Sequence, residues 1–245
     1  MEANSEVIVD TIPRFSEESV SSGKSSRLAA TVGLLAWLAI ASAALAQQEF
    51  PPPQGKGRVV VMASGVSGPS HYTTVAREIA ELGYDVVLFD GNLMLGTHGD
   101  GVKTIILQAQ QMPHALPGKV ALVGFSVGGG MYFYFATQWP DLVAGEVLWY
   151  PMNNFIHDVP GFASRLNVPL LVFVGAKDHF RDGCCLADLD SRLAAASVLA
   201  GKKFKLVVYP DAEHDFVYGG DHYNAKDYSD AFKQTADMLK VYLSE

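Results

Sequence analysis

Stretches of continuous apolar character, each bounded by glycine, proline or charge, recur along the chain from Arg58 onward and alternate with segments of helical period. Runs of this kind, buried on both faces, are the signature of parallel strands. They predict strands at Arg58–Ala63, Asp85–Phe89, Lys119–Phe125, Gly145–Tyr150, Pro169–Val174 and Lys203–Tyr209. Between them the spacing predicts helices at Tyr72–Leu82, Lys103–Met112, Val127–Gln138, Asp182–Ala200 and Tyr223–Leu243. Strands alternating with helices require a parallel sheet covered on both faces. The expected fold class is therefore α/β, with 58–245 as one domain too short to carry a large lid.

The first residues follow a different pattern. From Leu28 to Gln48 there is no charge, Ala29–Ala46 is almost wholly apolar or small, and Arg14, Lys24 and Arg27 precede it. Residues 1–46 thus read as a signal peptide with Ala44-Leu45-Ala46 as the cleavage site, or as an uncleaved anchor. Either reading places the catalytic part outside the cytoplasm, periplasmic or secreted, or tethered to a membrane. Residues 47–57, with Pro51-Pro52-Pro53 and two glycines, read as a linker.

The chemistry concentrates after three of the strands. Gly124-Phe125-Ser126-Val127-Gly128 is G-x-S-x-G at a strand-to-helix junction, the setting of a nucleophile elbow, although Gly-Ser-Gly also makes ordinary turns. An elbow serine needs a base, and the base needs an orienting carboxylate, in the chain order Ser, acid, His. Asp178 ends the loop after Pro169–Val174, and His214 lies on the loop after Lys203–Tyr209. The acids Asp141, Glu146, Asp158, Asp182, Asp188, Asp190, Asp211 and Glu213 are less well placed; Asp188 and Asp190 fall in a helical stretch. The backbone N–H of Val127 would supply one oxyanion donor, and Gly65 or Val66, on the Gly-rich loop after the first strand, the other. That loop lacks the G-x-G-x-x-G and P-loop patterns of phosphate cradles.

Gly124-Phe125-Ser126-Val127-Gly128-Gly129, Gly175-Ala176-Lys177-Asp178 and Tyr209-Pro210-Asp211-Ala212-Glu213-His214-Asp215-Phe216, with Tyr223-Asn224-Ala225-Lys226 entering the last helix, resemble the dienelactone hydrolase family over roughly residues 57–243. The resemblance implies an α/β-hydrolase fold and a Ser126–Asp178–His214 triad cleaving small esters or lactones. The founding members carry cysteine at the elbow where this chain has Ser126. No counterpart is found for their acid after the first core strand or for the two arginines that grip the lactone carboxylate. The resemblance thus carries the reaction class rather than the substrate. A thioesterase, acyltransferase or peptidase could use the same triad, and a non-catalytic binding protein could keep the fold.

Other features narrow the partners. A net charge of -8 without clustered Lys and Arg excludes a nucleic-acid surface. Cys184 and Cys185 are adjacent, which reads as free or partly buried thiols, with a vicinal bridge as the rare alternative. They bind no zinc by themselves, and the seven histidines show no H-x-x-x-H or H-E-x-x-H spacing, so no cofactor or metal is expected. Asp90 and Asn92 are pocket candidates but equally ordinary turn formers, and His71 reads as a polar helix-start residue. Trp149, Tyr150 and Met152 read as either an acyl wall or core.

Overall fold

The computed structural model describes residues 47–96 and 99–244; the expected signal or anchor over 1–46 lies outside them. A seven-stranded sheet has the order β1-β3-β2-β4-β5-β6-β7. Its strands are β1 Gln47–Phe50, β2 Val59–Ala63, β3 Asp85–Phe89, β4 Val120–Phe125, β5 Val143–Trp149, β6 Leu170–Gly175 and β7 Phe204–Tyr209. All neighbours are parallel except β1, which runs antiparallel to β3 with Gln47 opposite Phe89 and Phe50 opposite Val86. The helices are α1 Thr73–Glu81, α2 Asp100–Ala109, α3 Val127–Phe135, α4 Val159–Ser164, α5 Ala187–Leu199 and α6 Ala225–Tyr242.

The two-residue period of a strand sorts the core into two layers. Val61, Ala63, Val87, Phe89, Leu122, Leu148 and Val172 face Val102 and Ile106 of α2, Tyr132 and Phe133 of α3, Phe162 of α4 and Leu193 of α5. Their sequence neighbours Val60, Met62, Val86, Leu88, Val123, Val147 and Leu171 face the other way, toward Val75 and Ile79 of α1 and Ala231 and Leu239 of α6. Both faces are covered, which is why the strands read as unbroken apolar runs.

Two elements depart from expectation. The linker expected over 47–57 is shorter, because Gln47–Phe50 pairs along the free edge of β3. Its sequence, QQEF, lacks the apolar alternation that marks a strand, and it pairs because an edge strand needs only one buried side chain, Phe50. At the other end of that segment Gly57 bridges Ala115. α4 was not foreseen; it is nucleated by Asp158, whose Oδ1 accepts from Gly161 N–H at 3.0 Å, with proline in its first turn.

Candidate active site

Because β4, β5, β6 and β7 are parallel, their carboxyl ends lie on one edge. The register places Phe125 beside Trp149 and Trp149 beside Phe173, with Gly175 beside Tyr209. Three loops leaving that edge bring together the residues expected from the sequence. His214 Nε2 lies 3.0 Å from Ser126 Oγ, and His214 Nδ1 lies 2.7 Å from Asp178 Oδ2. Ser126 and His214 are buried to 3% and 6% exposure.

The turn at Ser126 is as tight as its glycines suggested. Ser126 has φ 48° and ψ -116°, a region that non-glycine residues rarely enter. A Cβ at Gly128 would meet Ser64 O at 2.5 Å, and one at Gly124 would meet Gly129 Cα at 2.6 Å. Among the described residues the non-glycine positions with positive φ are Ser126, Tyr150, Arg181 and Asp215, and all four belong to this site. Strain gathered at one place in a fold is a mark of function.

Val127 opens α3, so its N–H is not consumed within the helix. Gly65 passes directly over the nucleophile: a Cβ there would lie 3.2 Å from Ser126 Cβ and 2.5 Å from Tyr72 Oη. Val66 lines both clefts that flank Ser126. One cleft, about 220 Å³, is bounded by Val66, Leu95, Val127, Met152 and Phe180. The other, about 100 Å³, has polar walls from Ser67, Asp215, Asp221 and His222. A larger cavity of about 630 Å³ sits among Arg58, Lys119, Lys203 and Lys205, away from Ser126, and holds none of this chemistry.

Several supporting residues have no motif in the sequence. Phe180 stacks on His214 with centroids 4.3 Å apart and planes 8° from parallel, and its N–H donates to Asp178 Oδ1 at 3.0 Å. One short loop thereby orients both the imidazole and its carboxylate. On the opposite side Asp215 accepts from Tyr150 Oη at 3.1 Å and lies 2.9 Å from His71 Nε2. His71, on the short helical turn ahead of α1, thereby braces Asp215, which lines the polar cleft. Burial, with the nearby Asp215 charge, holds the Tyr72 hydroxyl well above the usual tyrosine range. Tyr150 is raised in the same direction, first by burial and then by Tyr72 and Asp215. Both rings act as neutral hydrogen-bonding groups.

The weaker candidates divide. Asn92 lines the apolar cleft, while Asp90 Oδ1 accepts from Asn92 N–H at 2.9 Å and acts as a turn cap. Met152 lines the cleft, whereas Trp149 is core, packed on Phe173 and Phe216. Asp211 is taken by Lys177 at 2.7 Å, and Glu213 by His222 at 3.3 Å. Cys184 and Cys185 form a vicinal disulfide, contrary to the thiols expected. The backbone clamps them: Cys184 O accepts from the N–H groups of Asn153 and Asn154 at 3.0 and 3.3 Å, and Cys184 N–H donates to Phe180 O at 3.3 Å.

Fold and site geometry together define an α/β-hydrolase, with a serine, histidine and aspartate in hydrogen-bonded series at the carboxyl edge of the sheet. Residues 95–243 match the model of the dienelactone hydrolase family, and the chain belongs to that family. Among its relatives is protein usf of Aquifex pyrophilus, 28% identical over 130 residues, covering 52% of this chain and 53% of that one. The chain spans about half the length of the curated relatives it matches. Esterase 2 of Thermogutta terrifontis, solved phosphorylated by paraoxon, superposes with a TM-score of 0.62 at 16% identity, covering 80% of this chain and 88% of that one. A dienelactone hydrolase-like promiscuous phosphotriesterase from metagenomic libraries superposes with a TM-score of 0.64 at 16% identity, covering 80% and 99%. At such identities these likenesses speak to the fold.

Proposed function

We propose that this protein is an exported serine hydrolase that cleaves small ester or lactone bonds through an acyl-enzyme. The observation that carries the reading is the Ser126–His214–Asp178 series, with separations of 3.0 and 2.7 Å and the serine held on a strained elbow. His214 takes the proton from Ser126 as the oxygen attacks the carbonyl, and Asp178 holds the imidazole tautomer and steadies the imidazolium. The N–H of Val127, aided by the positive end of α3, and an N–H of the Gly65–Val66 loop receive the oxyanion. His214 then returns the proton to the leaving alcohol, and water, activated by the same imidazole, releases the acid. The apolar cleft suits the acyl group and the polar cleft the departing alcohol.

Family membership and the esterase-like neighbours support ester hydrolysis. Export is supported by the uncharged apolar run ending in Ala44-Leu45-Ala46; sequencing of the protein from its native envelope should then read Gln47 first. Recovery of the full leader would identify an anchor instead.

The test of the chemistry is labelling by a fluorophosphonate and turnover of p-nitrophenyl acetate. Ser126→Ala should remove both, with kcat falling by about a millionfold. Asp178→Asn should preserve the fold and lower kcat by roughly 10³ to 10⁴. Labelling that persists in Ser126→Ala would sink the assignment, and a loss under about tenfold for Asp178→Asn would give the orienting role to another acid.

A further inference from the structure

The edge of the sheet opposite the catalytic loops carries a second group of chemically able side chains. Glu49 lies on β1, Asp85 begins β3, and His114 sits on the loop between α2 and β4. One carboxylate oxygen from each acid and a ring nitrogen of the histidine all fall within 4.8 Å of one another. His114 Nδ1 is 2.9 Å from Glu49 Oε1. Asp85 is fully buried, at 0% exposure, yet neither of its carboxylate oxygens has a hydrogen-bond partner, and it faces a second carboxylate. Such an acid costs stability unless something satisfies it. The Glu49 and His114 side chains keep 19% and 43% exposure, so the cluster has a buried floor and a mouth open to solvent.

The backbone holds these groups in place without help from the side chains. Gly57 N–H donates to His114 O at 2.9 Å, Leu116 N–H donates to Gly57 O at 2.8 Å, and Asp85 N–H donates to Arg58 O at 3.0 Å. A Cβ at Gly57 would meet Asp85 N at 2.6 Å, so that approach requires glycine. The donors therefore come from three separated parts of the chain that are already registered.

We propose that Glu49, Asp85 and His114 form a divalent-metal site suited to Zn²⁺. Two carboxylate oxygens and one imidazole nitrogen are a zinc donor set, leaving a position at the mouth for water. The ion neutralises the facing carboxylates, satisfies the buried Asp85 and fastens the edge strand β1 to β3 and to the loop ahead of β4. It lies on the far edge from Ser126, so its role is to hold the fold together and not to take part in hydrolysis. Histidine spacing gives no hint of it, because each ligand comes from a different element.

Zn²⁺ added to the full-length, EDTA-dialysed protein at pH 7.5 tests this by equilibrium dialysis and thermal unfolding. The expected result is one Zn²⁺ per chain and a Tm rise of about 5 °C at roughly 100-fold excess over Kd. Asp85→Asn and, as a surface change that spares the core, His114→Ala should each weaken binding by at least about tenfold and remove the Tm rise, while metal-free hydrolysis is unchanged. No uptake of Zn²⁺ would overturn the proposal and leave Asp85 as a protonated acid donating to Glu49. Uptake of Zn²⁺ that survives both variants, with its Tm rise intact, would also overturn it, placing the ion elsewhere on the chain.

Discussion

Asp190 shows how one buried group can set the pH response of the fold. It lies in α5, fully buried, beside the Asn153 amide, which also accepts from Leu186 N–H and donates to Leu186 O. Burial pushes its carboxyl up from 3.8 to about 8; Asn153 relieves part of that and the Asp178 charge adds to it. The unfolded chain releases this proton near pH 3.8 while the folded chain keeps it to about 8. Its contribution to stability is therefore complete in acid and is lost as pH rises between those values. Asp190→Asn removes the titration, so urea unfolding should show the variant gaining on the wild type by more than about 1 kcal/mol between pH 5 and 8.5. A constant difference across that range would mean that Asp190 is ionised in the fold. At this scale Ser126, Asp178 and His214 were legible because each follows an apolar strand within a motif. The supporting roles of Phe180, Tyr150, Asp190 and Asp215 were not, since an aromatic or acid near a loop has no distinguishing spacing.

The elbow is where an element depends on a single atom. α3 packs so closely behind β2 that a Cβ at Gly128 would meet Ala63 Cβ and Ala63 O at 2.7 Å, backbone and strand atoms that cannot swing aside. Gly128→Ala should therefore cost about 2 kcal/mol or more in urea unfolding and lower turnover by shifting Ser126. Gly55→Ala is the comparison: a Cβ there meets nothing within 4 Å, and its φ of 65° costs only about 1 kcal/mol. Gly128 itself has no positive φ, so a loss at 128 no larger than that at 55 would show that the close approach of α3 to β2 adds nothing. The six parallel strands were read to within about two residues; in β2 to β6 burial on both faces imposes unbroken apolar runs, and β7 at the sheet edge keeps an apolar core of its own between Phe204 and Tyr209. β1 and α4 escaped because four residues of QQEF and six of VPGFAS are too short to show a period.

Over the whole molecule, the strand order puts β1 outside β3, where it covers a row of backbone groups that would otherwise be bare. Phe50 is 7% exposed and stacks under Arg77, whose guanidinium carbon lies 5.9 Å from the ring centroid. The expected cleavage after Ala46 would leave this strand intact, whereas a cut four residues later would remove it. A chain beginning at Pro51 should lose at least about 2 kcal/mol from unburied Phe50 and the opened β3 edge relative to one beginning at Gln47, and should aggregate more readily on heating. Matching thermal transitions for the two chains would show that β1 adds nothing.

The sequence by itself determined the α/β class, the parallel strands and the three residues in series, because apolar runs and G-x-S-x-G report constraints local to a few neighbouring positions. Only the tertiary structure decided how Asp215 joins His71 and Tyr150, how Phe180 lies flat on His214, and how Glu49, Asp85 and His114 meet. Each of those contacts joins parts of the chain brought together by strand order and register, which no local pattern encodes.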